Sequence, residues 1–161
     1  MRLFLKRDTS MSHSRFIVSD SNGETKFVVT GKYNDAIQKM AISSPQGEVL
    51  IKIRMLISKV LSTFIIRSDD EHFTIIGGRR VSPDFSIFGI NWKICASADF
   101  RTFEVFDADG SLLMTQKSDT CSSKGYYTLD IFTQRRELLC LAVAICIDVY
   151  NFADSVVAAT I

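Results

Sequence analysis

Up to about residue 132 the chain alternates apolar and polar positions in short stretches broken by turn residues. From residue 138 it becomes one apolar run. Ile51, Ile53 and Met55 fall on one face of their stretch, and Lys52 and Arg54 on the other. Trp92, Ile94 and Ala96 oppose Lys93, Cys95 and Ser97, and Phe103 and Val105 oppose Thr102 and Glu104. A period of two puts one sheet face on a core and the other in water. The pattern predicts twelve strands, near 2–6, 13–19, 24–30, 36–42, 48–54, 60–67, 72–78, 84–88, 91–97, 101–106, 111–117 and 125–132.

A recurring unit identifies several of these as hairpins. Phe16 to Gly23, Met40 to Gly47 and Phe103 to Gly110 each read apolar-x-apolar, then a polar turn ending in glycine, then a new strand. Glycine closes such turns because it reaches positive φ without a Cβ clash, and Asp, Asn, Ser and Pro bond or preset the backbone before it. The spacings between these glycines are unequal, which excludes a fixed-period solenoid.

The C-terminal run differs in kind. Leu138 to Ile147 is ten consecutive apolar residues, rich in the helix formers Leu and Ala. A helix that is apolar all round must be enclosed by protein or by lipid. Spanning a bilayer takes about 20 such residues. Asp148, Asn151 and Asp154 end the run early and would be costly in hydrocarbon. The expectation is a buried helix over about 136–153 rather than a tail anchor.

Strands and helix then constrain each other. A sandwich core is about 10 Å thick, and an eight-stranded barrel is filled by its own side chains. A helix with side chains is about 10–12 Å across. A barrel near eleven or twelve strands has the room. The expected fold is therefore mainly β: a closed twelve-stranded antiparallel barrel enclosing the hydrophobic C-terminal helix, as one domain over 1–161.

Composition removes some functions from consideration. The 161 residues include 19 Lys and Arg against 18 Asp and Glu, for a net charge of +1, so neither a polybasic nucleic-acid arm nor an acidic tail dominates. With 47% hydrophobic residues and two prolines, disorder is not expected. The four cysteines, Cys95, Cys121, Cys140 and Cys146, form no C-x-x-C pair, and with only His13 and His72 beside them no metal site is expected. Reduced thiols and a cytoplasmic location are the simplest reading. The segment from Met1 to Asp8 has too short and too interrupted an apolar stretch for a signal peptide.

Several residues carry a family resemblance: the Phe103–Gly110 hairpin, the Val29-Thr30-Gly31-Lys32 strand end, Trp92 after the Phe88-Gly89-Ile90 turn, and Leu141 to Asp148 in the helix. In order and length the chain resembles the LURP-one-related family of the tubby-like superfamily, most of all its small, single-domain bacterial members. It is more distantly similar to phospholipid scramblases and tubby C-terminal domains. The resemblance implies the barrel with its central helix. It implies little about activity, since the family has no established biochemical function, although tubby domains bind phosphoinositides through basic side chains on the outer barrel.

The candidate chemistry is sparse. Asp107 and Asp109 before Gly110 look like the start of a calcium loop, but a strand follows where the loop should continue to a bidentate Glu, so a hairpin turn is expected. His13 and His72 flank no evident nucleophile. Gly77-Gly78-Arg79-Arg80 lacks the Lys-Ser/Thr ending of a nucleotide loop and reads as a solvated turn. Lys52 and Arg54 share an outward strand face and, with Arg79 and Arg80, make a candidate site for anionic lipid headgroups. No catalytic residue, cofactor, metal or nucleic-acid partner is read. The expected function is a non-enzymatic binding or scaffold domain contacting anionic phospholipid or a protein partner, peripheral to the membrane. The alternative is a lipid- or small-molecule-handling protein, or an enzyme whose site the sequence does not display.

Overall fold

A computed structural model describes residues 1–8, 13–32, 37–58, 60–78, 84–97, 101–118 and 126–159. Twelve strands precede one helix. The strands are β1 (Arg2–Asp8), β2 (His13–Ser19), β3 (Thr25–Lys32), β4 (Ile37–Ser43), β5 (Val49–Ile57), β6 (Leu61–Arg67), β7 (His72–Gly78), β8 (Asp84–Phe88), β9 (Lys93–Ala96), β10 (Thr102–Phe106), β11 (Leu112–Ser118) and β12 (Tyr126–Ile131), and the helix is α1 (Glu137–Ala159).

All twelve strands form one antiparallel sheet in the order β8-β7-β6-β5-β4-β3-β2-β1-β12-β11-β10-β9. Chain neighbours pair throughout except β8 and β9, the two ends of the sheet, and β1 joins β12, with Leu3 opposite Leu129 and Leu5 opposite Tyr127. The repeated hairpin turns are alike in detail. The amide of Gly23, Gly47 or Gly110 donates to the carbonyl of Asp20, Ser44 or Asp107, each at 3.0 Å. The three glycines have φ of 79°, 93° and 83°, a region that favours glycine. The Asp109 carboxylate accepts from the Ser111 amide at 2.8 Å, which makes Asp107–Ser111 a turn, as expected.

Inward side chains alternate along β5, β6, β7 and β10 as the pattern required, whereas on β9 Ala96 is exposed and β11 buries Leu113 to Gln116 consecutively. Ile51, Ile53 and Met55 are buried, and Lys52 and Arg54 are exposed. The inner wall meets α1. All eight residues from Cys140 to Ile147 have no exposed surface, so two turns of helix are covered on every side. Burial of this kind stabilises by roughly 1.5–3 kcal/mol for each large aliphatic side chain. It also pushes the Cys140 thiol up to about 12 and the Cys146 thiol higher still, so both stay protonated and unreactive. The helix runs past the expected residue 153 to Ala159. Asp148 does not interrupt it, because that carboxylate has a buried partner described below.

The ends of the sheet, β8 and β9, touch without a ladder between them among the described residues. Aromatic rings close this seam. Trp92 packs on Phe73 at 6.2 Å between centroids, and Phe85 meets Phe103 edge-on at 6.1 Å. The Tyr150 ring, from α1, lies edge-on to Phe85 at 4.9 Å, and its hydroxyl donates to the Gly78 carbonyl. A Cβ on Gly77 would stand 2.8 Å from the Tyr150 ring, so only glycine leaves room for it. Gly77 and Gly78 thus end strand β7 and seat the helix, where the sequence read as a solvated turn.

The enclosure predicts the effect of one charge. Ile145→Asp places an unpaired carboxylate at the most enclosed part of the helix. The variant should show no cooperative urea transition and a flat near-ultraviolet circular dichroism spectrum. A native-like melt would mean that Ile145 is not enclosed.

Candidate basic surface on the outer barrel wall

Lys52 and Arg54 project outward because their neighbours Ile51, Ile53 and Met55 are committed to the core. Strand register then adds two cations. Lys39 on β4 lies directly opposite Arg54, and Arg67 on β6 directly opposite Lys52. All four side chains are exposed. With strands about 4.8 Å apart and about 3.3 Å of rise per residue, the group occupies roughly 10 Å by 7 Å of wall. None of the four forms a salt bridge among the described residues. Two other surface cations do pair, Arg2 with Asp130 at 2.7 Å, holding that carboxyl below its usual range, and Lys26 with Glu24 at 3.1 Å, whereas Lys6, Lys93, Lys117 and Arg135 are exposed and, among the described residues, also form no salt bridge. Like charges placed side by side on an exposed wall repel one another weakly through water.

Arg79 and Arg80, the other two residues of the expected headgroup site, lie outside the described residues. Lys39 and Arg67 were not legible as partners of Lys52 and Arg54, because the register that aligns them depends on the lengths of two turns. His72 is exposed, opposite Arg67 and bordering the same group.

Among the described residues, carboxylates are frequent in the turns at one rim of the barrel, the rim where α1 begins, which also carries Arg2, Lys93 and Arg135. The turns there carry Asp20 and Glu24, Glu48, Asp69 to Glu71, and Asp107 and Asp109. They stand near the positive end of the helix dipole. Arg67 borders this acidic rim, whereas Lys39 and Arg54 lie toward the opposite one.

A second charged site lies inside. Arg7 on β1 and Asp148 on α1 pair at 2.5 Å, with side chains 7% and 1% exposed. The Arg7 guanidinium stacks over the Phe16 ring at 5.0 Å. Burial pushes the Asp148 carboxyl up, while Arg7 and Tyr127 pull it back by stabilising the charged form. Burial, and then the nearby Asp148 charge, push the Tyr127 hydroxyl up, so it stays protonated and faces the carboxylate as a donor. One turn earlier on the helix, Gln116 on β11 donates to the Ala144 carbonyl at 3.3 Å. These contacts fix the rotation and height of α1 in the barrel. Among the described residues no three His, Cys, Asp or Glu side chains cluster as metal ligands. No helix of the described residues is long and apolar enough to cross a membrane.

A twelve-stranded antiparallel barrel threaded by a C-terminal helix defines the tubby-like class of fold. The LURP-one-related family model matches residues 1–148, and the chain belongs to that family. The fold is similar to the X-ray structure of a protein from Arabidopsis thaliana, with 13% sequence identity, a TM-score of 0.56, and 92% of this chain and 91% of that one covered. No curated protein sequence matches the chain.

The interior pair yields a mutational prediction. Asp148→Ala leaves a buried guanidinium without its carboxylate and should cost about 3–5 kcal/mol in a urea melt. Arg7→Met with Asp148→Leu removes both charges and should recover most of that loss. A double variant as unstable as the single one would show that the pair's cost lies in packing rather than in uncompensated charge.

Proposed function

We propose that this protein is a non-enzymatic binding domain that recognises anionic phospholipid headgroups at the membrane surface through the outer wall of its barrel. Lys52 and Arg54 are the centre of the site, with Lys39 and Arg67 beside them. The observation that supports this most is the four-cation group itself, exposed on three adjacent strands and without carboxylate partners among the described residues. Phosphate suits such a surface, because Arg offers a planar fork of donors and Lys a compact charge. The enclosed helix supports a binding rather than a catalytic role, since it fills the interior where a barrel enzyme would hold its substrate. Membership of the LURP-one-related family is in keeping with that reading. Arg79 and Arg80 follow β7 in the sequence and belong to the proposal only as the expectation stated above.

Each cation near an anionic membrane contributes about 1 kcal/mol. Replacing Lys39, Lys52, Arg54 and Arg67 with Ala should therefore weaken binding to phosphatidylserine vesicles by on the order of a hundredfold or more at low salt. The difference should shrink as salt rises, because exposed charges are screened beyond about 8 Å at physiological ionic strength. Vesicle flotation measures both. Equal flotation of the variant, or no flotation of the wild type with anionic vesicles, would remove the proposal.

A further inference from the structure

The β5–β6 hairpin carries Lys52 and Arg54 on its first strand and ends in an unusual tip. Val60 is 67% exposed and Leu61 44%, although both are large aliphatic residues. The turn that presents them is locked by one side chain. Ser58 Oγ accepts from the amides of Val60 at 3.3 Å and Leu61 at 3.0 Å and donates to the Leu61 carbonyl at 2.9 Å. The Ser58 amide also donates to the Leu61 carbonyl at 2.9 Å. These bonds, with the flanking ladders to β5 and β7, present Val60 and Leu61 at the tip with much of their surface exposed.

The position of the tip gives it a partner. It stands at the barrel rim opposite the acidic turns, and Arg54 lies only about 13 Å back along the same strand from Ser58. Met1, Val49, Phe88 and Phe132 are also exposed, but they lie toward the rim whose turns carry acidic residues beside Lys93 and Arg135, and no row of unpaired strand cations leads up to them. Apolar residues projecting beyond a basic wall match the layering of an anionic bilayer, where headgroup charge lies outside hydrocarbon.

We infer that Val60 and Leu61 insert into the interface of an anionic phospholipid bilayer while the adjoining β4–β6 wall leans on the headgroups, Lys39 and Arg54 lying nearest the membrane and Arg67 farthest from it. The inference rests on the headgroup reading above and adds the depth and orientation of binding.

The test uses the full chain and vesicles of phosphatidylcholine with and without phosphatidylserine. Val60→Trp provides a reporter, since the one native tryptophan, Trp92, is 5% exposed and gives a constant background. Its emission should shift to the blue on adding phosphatidylserine vesicles and be quenched by brominated lipid. Val60→Ser with Leu61→Ser should bind these vesicles about tenfold more weakly, since each inserted methylene contributes about 0.8 kcal/mol and insertion is partial. What binding remains should vanish at high salt, where the wild type retains some. Flotation of Val60→Trp with unchanged emission would overturn insertion while leaving the headgroup reading in place. Failure of the wild type to float would overturn both.

Discussion

A helix without a polar face cannot stand in water, and a twelve-stranded barrel cannot stand empty. Each supplies what the other lacks, and most of the molecule follows from that requirement. The residues from Cys140 to Ile147 have no exposed surface on any side, which one sheet or one layer of helices could not achieve. The barrel in turn need not close by hydrogen bonds alone. Between β8 and β9 the work passes to Trp92, Phe73, Phe85, Phe103 and Tyr150, and Tyr150 is contributed by the helix itself. Gly77 and the Arg7–Asp148 pair then set how the helix seats, one by leaving space and the other by joining two buried charges.

Much of this was legible because two periods are easy to read. Alternation placed Lys52 and Arg54 outside and Ile51, Ile53 and Met55 inside, and glycine-ended turns marked the hairpins. The all-apolar run, too short for a bilayer, required an enclosing barrel. What stayed hidden depends on contacts between distant residues. Arg7 and Asp148 are 141 positions apart, and nothing near either residue announces the other. Asp148 therefore read only as the end of the apolar run within the expected helix, and its buried partner went unseen. Gly77 and Gly78 read as a turn because glycine pairs commonly mark turns, and the ring of Tyr150 that requires Gly77 lies far along the chain. The basic wall was half legible. Lys52 and Arg54 follow from alternation, but Lys39 and Arg67 join them only through register.

The near-neutral net charge conceals an uneven distribution. Among the described residues, carboxylates are frequent in the turns around the start of α1, while Lys39, Lys52, Arg54 and Arg67 share one outer wall without carboxylate partners. A rigid, filled barrel suits such a division. Its interior is committed to stability, while the side chains of the outer surface vary without disturbing the core.

The central claim is that the barrel folds around its helix and not before it. A chain ending at Glu137 tests this most directly, because it retains all twelve strands and loses only the filling. The account predicts that urea titration of this chain shows no cooperative transition and that its near-ultraviolet circular dichroism lacks the aromatic signature of the full-length protein. A cooperative melt with a near-native spectrum would contradict it, and would make the helix an appendage to a barrel that stands alone.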